Sequence, residues 1–142
     1  MSRVKIELPE QFSFSTVIPV RITDLNYGGH LGNDKVLTFL HEARIQFLHH
    51  HGLSELDFAG TGLIMTDAAI EFKNEVFYGD EIKAFVAVDN ISRVGFDILY
   101  KLVNTNGELN VAFGKTGMVC YDYSKKKIAP LPQEARGKFG AV

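Results

Sequence analysis

The chain has 142 residues, 46% hydrophobic and 23% charged, which is the size and make-up of one globular domain rather than a disordered or fibrous chain. A formal net charge of -2 supplies no basic field for a nucleic acid. The single cysteine, Cys120, cannot form an internal disulfide and points to a reducing compartment. The opening MSRVKIELPE has no apolar h-region, so no signal peptide is expected. No apolar run is long enough to span a bilayer. A cytoplasmic protein with no membrane partner is the expectation, with residues 1–142 as one domain.

Residues 12–23 alternate with period two. Phe12, Phe14, Ile18, Val20 and Ile22 share one face, and Ser13, Ser15, Arg21 and Thr23 the other, as in a half-buried strand. Pro19 cannot donate to a ladder, which predicts an edge strand. A helix is predicted from Asp34, capped by Asn33 or Asp34. Its apolar face carries Val36, Phe39, Leu40, Ala43 and Phe47, and Gly52 ends it as the residue past the C-cap. Ile64, Ala68, Ile70 and Phe72 then alternate with polar residues, YGDE (78–81) turns the chain, and Ile82 to Val88 form another strand. SRVG (92–95) and NG (106–107) mark two more turns, the second a tight hairpin signal. The last strand, near 108–123, carries Ala112, Gly114, Thr116 and Met118 on one face, small enough for a helix to lie close. One strand, a long helix and four further strands are segregated rather than alternating, so the class is α+β.

Between the first strand and the helix lies TDLNYGGHLGND (23–34). An acid, a glycine-rich turn and a helix start are the parts of a site that handles developing negative charge. The order D-x-x-x-x-G-H-x-x-N (24–33) followed by HEAR (41–44), YGDEI (78–82), SRVGFDI (92–98) and AFGKTGMVCYD (112–122) resembles the hotdog-fold acyl-CoA thioesterases of the 4-hydroxybenzoyl-CoA thioesterase type. The chain departs from that pattern at Asn26, where a second acid is frequent, and at Gly32, where an asparagine is frequent. The resemblance implies a five-stranded antiparallel sheet wrapped around a long helix. It also implies homodimers or homotetramers joined through the strand at 62–73, with sites at the subunit interface. The implied reaction is hydrolysis of an acyl-CoA, or acyl carrier protein, thioester without a cofactor.

The resemblance makes Asp24 the catalytic carboxylate, as nucleophile or as the base that activates water. The backbone N–H of Leu31, with that of Gly32 second, is the expected oxyanion donor. Tyr27, Gly29, His30 and Asn33 are expected to shape the substrate site, and Ser92 and Arg93 to meet the pantetheine arm or phosphates. His30 is read as a site-shaping residue ahead of a proton-transfer role. Glu42 on the helix is the rival carboxylate, with a solvated place beside Gln46 as its plainer reading, and Asp67 is a weaker third. HHH (49–51) is read as helix-terminal cations, because consecutive helical residues point about 100° apart and cannot share one ion; no metal is expected. Two other functions compete: a non-catalytic acyl-thioester or lipid-binding hotdog protein, and a hotdog dehydratase or hydratase.

Overall fold

A computed structural model describes residues 2–140. The elements run β1 (Phe14–Pro19), a 3-10 turn (Ile22–Asp24), α1 (Asn33–His50), β2 (Gly62–Phe72), β3 (Glu81–Asp89), β4 (Gly95–Asn104), β5 (Leu109–Asp122), β6 (Lys127–Ile128) and α2 (Gln133–Lys138). The strands form one antiparallel sheet in the order β1-β3-β4-β5-β2, with the two-residue β6 added to β5. The sheet thus has six strands, the expected five plus a short sixth. Among the described residues β1 and β2 are its edges, as Pro19 in β1 predicts.

Helix α1 lies on one face of this sheet. Phe39, Leu40, Ala43, Phe47 and Leu48 bury almost completely against Ile82, Ala84, Val86, Ile98 and Leu102 of β3 and β4. Each large side chain of this kind contributes about 1.5–3 kcal/mol on burial. The small stripe on β5 has the consequence the sequence suggests. A Cβ at Gly114 would stand 2.6 Å from Cδ1 of Leu40, so the helix sits at a distance only glycine permits there. The helix ends as read: Gly52 has φ +72 and Leu53 N–H donates to the Leu48 carbonyl at 2.8 Å, the geometry of a Schellman stop.

Three local readings change. The helix begins at Asn33, with Gly32 in the N-cap position and no side-chain cap. Neither Asn33 nor Asp34 caps it. In β2 the register slips between Met65 and Asp67, and this bulge reverses the phase of the strand. Leu63 and Met65 therefore face the helix side before it, and Ala68 and Ile70 after it; Ile64 belongs to the other face. The NG turn is a four-residue loop (105–108) with positive φ at both Gly107 and Glu108, and a second register shift between Leu102 and Val103 accompanies it. Residues 4–7 cross the outer face of the sheet, where Ile6 N–H donates to Glu71 Oε1 at 3.1 Å.

Candidate active site

The loop from Arg21 to Gly32 is folded by its own backbone. Asp24 N–H donates to the Arg21 carbonyl at 2.9 Å, Asn26 N–H to His30 at 2.9 Å, and Gly32 N–H to Asp24 at 3.1 Å. Gly29 makes the turn with φ +86. Asp24 is 1% exposed. Its Oδ2 accepts from Arg21 N–H at 2.9 Å, and its Oδ1 from the Arg21 guanidinium at 3.3 Å. The expected acid is therefore a buried anchor of the loop.

The expected oxyanion donors are engaged. Leu31 N–H donates to the Val76 carbonyl at 2.8 Å and Gly32 N–H to Asp24. The loop folds back into short bridges, Leu25 with Leu31 and His30 with Phe77, which uses these amides before the helix starts. Among the described residues the amides of Asn33 and Asp34, the first two of α1, meet no acceptor. The free donors of a helix start lie there, two residues beyond the expected position.

Two clefts flank this loop. One, of about 280 Å³, lies between α1 and β1 and is lined by Arg21, Asp24, Thr38, Phe39, Glu42 and Gln46 together with Val17, Ile18 and Pro19. It brings the two rival carboxylates into one space. Glu42 accepts from Gln46 Nε2 at 2.7 Å, and Gln46 also pairs with the Thr16 hydroxyl. The second, of about 270 Å³, lies toward β2 and is lined by His30, Leu31, Asn33 and Val36 with Phe72, Lys73, Asn74, Glu75, Val76 and Val111. Here the His30 Nδ1 is 3.3 Å from the Leu31 carbonyl, and its Nε2 is 3.8 Å from Glu75 Oε1. The ring stands edge-on to Phe77.

The remaining expected residues disperse. Tyr27 stands fully in solvent. Ser92 and Arg93 lie beyond the far end of β3, where the Ser92 carbonyl accepts from Arg136. The nine residues of β3 separate them from Asp24 by about 30 Å at 3.3 Å per residue, so one chain does not bring them together. Asp67 accepts from Lys115 and from Gly117 N–H beside the bulge; its carboxyl is held below the ordinary value by Lys115 first. Of the three histidines, His50 packs on Phe14 and His51 between Phe47 and Phe139. Burial pushes the Cys120 thiol up, away from nucleophilic use.

Two charged residues of note escape the sequence reading. Arg44 is buried; it donates to Glu55 at 2.6 Å and to the Tyr100 hydroxyl at 3.2 Å, and Tyr100 shares a 2.7 Å hydrogen bond with Thr116. Burial pulls this guanidinium down, but Tyr100 and Glu55 outweigh it and raise it above its ordinary value. The signal was available, since position 44 falls on the apolar face between Leu40 and Leu48. Glu75 left no such signal, because an acid before a turn is ordinary.

Residues 20–139 match the family model described as the thioesterase-like superfamily. The chain belongs to that superfamily. It is 29% identical over 124 residues to a 1,4-dihydroxy-2-naphthoyl-CoA hydrolase of Microcystis aeruginosa, covering 85% of this chain and 88% of that one. A 1,4-dihydroxy-2-naphthoyl-CoA thioesterase from Synechocystis superposes with TM-score 0.83 at 23% identity, over 91% of this chain and 96% of the other. A Thermus thermophilus thioesterase solved with coenzyme A and zinc superposes with TM-score 0.79 at 21% identity, over 92% and 100%. The fold is thus the hotdog, and the protein is an enzyme of the thioesterase class. No helix among the described residues is long and apolar enough to cross a membrane.

Proposed function

We propose that this protein hydrolyses acyl-CoA thioesters, with the thioester carbonyl seated at the start of α1. The observation that carries this is the pair of unpartnered amides at Asn33 and Asp34, opening beside a cleft lined by His30, Asn33 and Glu75. Developing negative charge on the carbonyl oxygen is stabilised there by fixed donors and by the helix dipole. Asp24 is the proposed carboxylate, carried by its place in the family motif; it lines the neighbouring cleft between α1 and β1, across the loop from the cleft of His30 and Glu75. Access to it runs past Arg21, whose side chain is two-thirds exposed. An aromatic acyl group comes first, because the relative from Microcystis aeruginosa and the neighbour from Synechocystis are named for 1,4-dihydroxy-2-naphthoyl-CoA.

The test is thiol release from naphthoyl, benzoyl, short and long acyl-CoAs, followed by Asp24→Asn and the matched Glu42→Gln on the best substrate. Loss of nucleophilic or general-base action should lower kcat by about 100-fold or more, after correction for the folded fraction. Near wild-type kcat in Asp24→Asn with loss in Glu42→Gln assigns the chemistry to the helix carboxylate. Retention in both removes this carboxylate mechanism. Binding of acyl-CoA without thiol release favours a binding protein, and a change in enoyl absorbance favours a dehydratase.

A further inference from the structure

His30 is held with both ring nitrogens toward acceptors. Nδ1 faces the Leu31 carbonyl at 3.3 Å and Nε2 faces the Glu75 carboxylate at 3.8 Å. Nδ1 lies within hydrogen-bond reach of the Leu31 carbonyl, which orients the ring, whereas the Nε2–Glu75 separation is longer than a hydrogen bond and leaves that nitrogen uncommitted to the carboxylate. The ring stands edge-on to Phe77, with Gly28 beside its Nε2. A Cβ there would lie 3.5 Å from Nε2. This nitrogen lines the same cleft as Asn33, whose amide is free.

Resting on the hydrolase reading above, we infer that His30 is the general acid for the departing thiolate and that Glu75 positions it. An oxygen attacks the carbonyl carbon, the C–O bond forms, the C–S bond breaks, and the electron pair leaves on sulfur. Nε2 gives its proton to that sulfur. The neutral imidazole then recovers a proton from the water consumed in hydrolysis. The donor is useful because an aliphatic thiol has a pKa of roughly 8.5 and leaves more readily as the thiol than as a bare thiolate near neutral pH. The Glu75 side chain is 65% exposed, and an exposed pair of this kind adds little to stability. The pair can therefore be altered without unfolding the chain.

Three other charges bear on the ring. Lys73 lines the same cleft from the end of β2 and is drawn to Glu71 at 2.7 Å; from α1, Asp34 is turned back over Gly32. The experiment is kcat against pH for the wild-type chain, His30→Gln and Glu75→Gln on one acyl-CoA, with thermal melts in parallel. A general acid must be protonated, so wild-type kcat should fall on the alkaline side. His30→Gln should lose on the order of 100-fold and lose that limb. Glu75→Gln should keep the limb and lower kcat with KM unchanged, because the ring loses a neighbour that orients it. A His30 with a merely structural role would, on substitution, lower kcat equally at every pH. A His30→Gln variant within about threefold of wild-type kcat, or one that retains the limb, overturns the assignment. A wild-type chain that releases no thiol from any acyl-CoA overturns the hydrolase reading instead.

Discussion

At the scale of single residues, burial changes what a substitution at Asp24 means. The carboxylate holds Arg21 N–H and the Arg21 guanidinium from a site 1% exposed. Asparagine keeps an acceptor for the amide but weakens the charged contact, so Asp24→Asn should lower stability by about 1–2 kcal/mol. A denaturant melt measures this, and an unchanged midpoint would mean that the carboxylate does not anchor the loop. Gly29 poses the complementary case. Its φ of +86 is closed to a β-branched residue, while no atom crowds its Cβ position. Gly29→Val should therefore cost about 1–3 kcal/mol through backbone strain alone, and kcat should fall further than the folded fraction accounts for. Equal losses would make Gly29 a structural residue. The motif around Asp24 and Gly29 was legible because acid, glycines and helix start are adjacent in sequence. The engagement of Leu31 and Gly32 was not, because their acceptors include Val76, 45 positions later in the numbering.

At the scale of elements, periodicity located the helix and strands, and small residues located the closest approach between layers. Gly114→Ala tests that reading. Its new Cβ would stand 2.6 Å from the Leu40 side chain, which is fully buried and has nowhere to retreat. Overpacking of this kind costs about 1–3 kcal/mol, measurable as a lowered Tm with unchanged secondary structure. A neutral effect would show that α1 can shift outward. Period-two reading failed at Ile64 because a bulge inserts one residue and inverts every later position. Its cause lies in partners distant in sequence: Thr66 and Asp67 side chains bond to Gly117 on β5. Arg44 is the same lesson on a helix. Its wheel position was plain, but its partners Glu55 and Tyr100 come from a loop and from β4.

At the scale of the whole molecule, the outer edge of β2 decides whether the dispersed residues belong together. Met65, Thr66, Asp67 and Ala68 are exposed at this free edge, and an exposed strand edge is a template for pairing. Two copies joined antiparallel there set the beginning of one β2 beside the end of the other. The Ser92–Gly95 turn of one protomer then comes to the same end as the Asp24–Asn33 loop of its partner. It stands two strand spacings, about 10 Å, from the shared edge, a gap that an extended pantetheine arm spans. Sedimentation should accordingly show a dimer at micromolar concentration, and Ala68→Asp, exposed in the single chain, should dissociate it by placing like charges near the two-fold axis. Whether the sites are shared is a separate question with its own measurement. A chain carrying whichever of Asp24→Asn and His30→Gln abolishes turnover is mixed with a chain carrying Arg93→Ala, chosen for weak substrate binding. In each hybrid dimer one site receives both defects and the other receives an intact loop with an intact turn. Equal mixing makes about half the dimers hybrid, so activity at low substrate should recover to about a quarter of wild type. No recovery, with subunit exchange confirmed, would confine each site to one chain and leave Ser92 and Arg93 outside it.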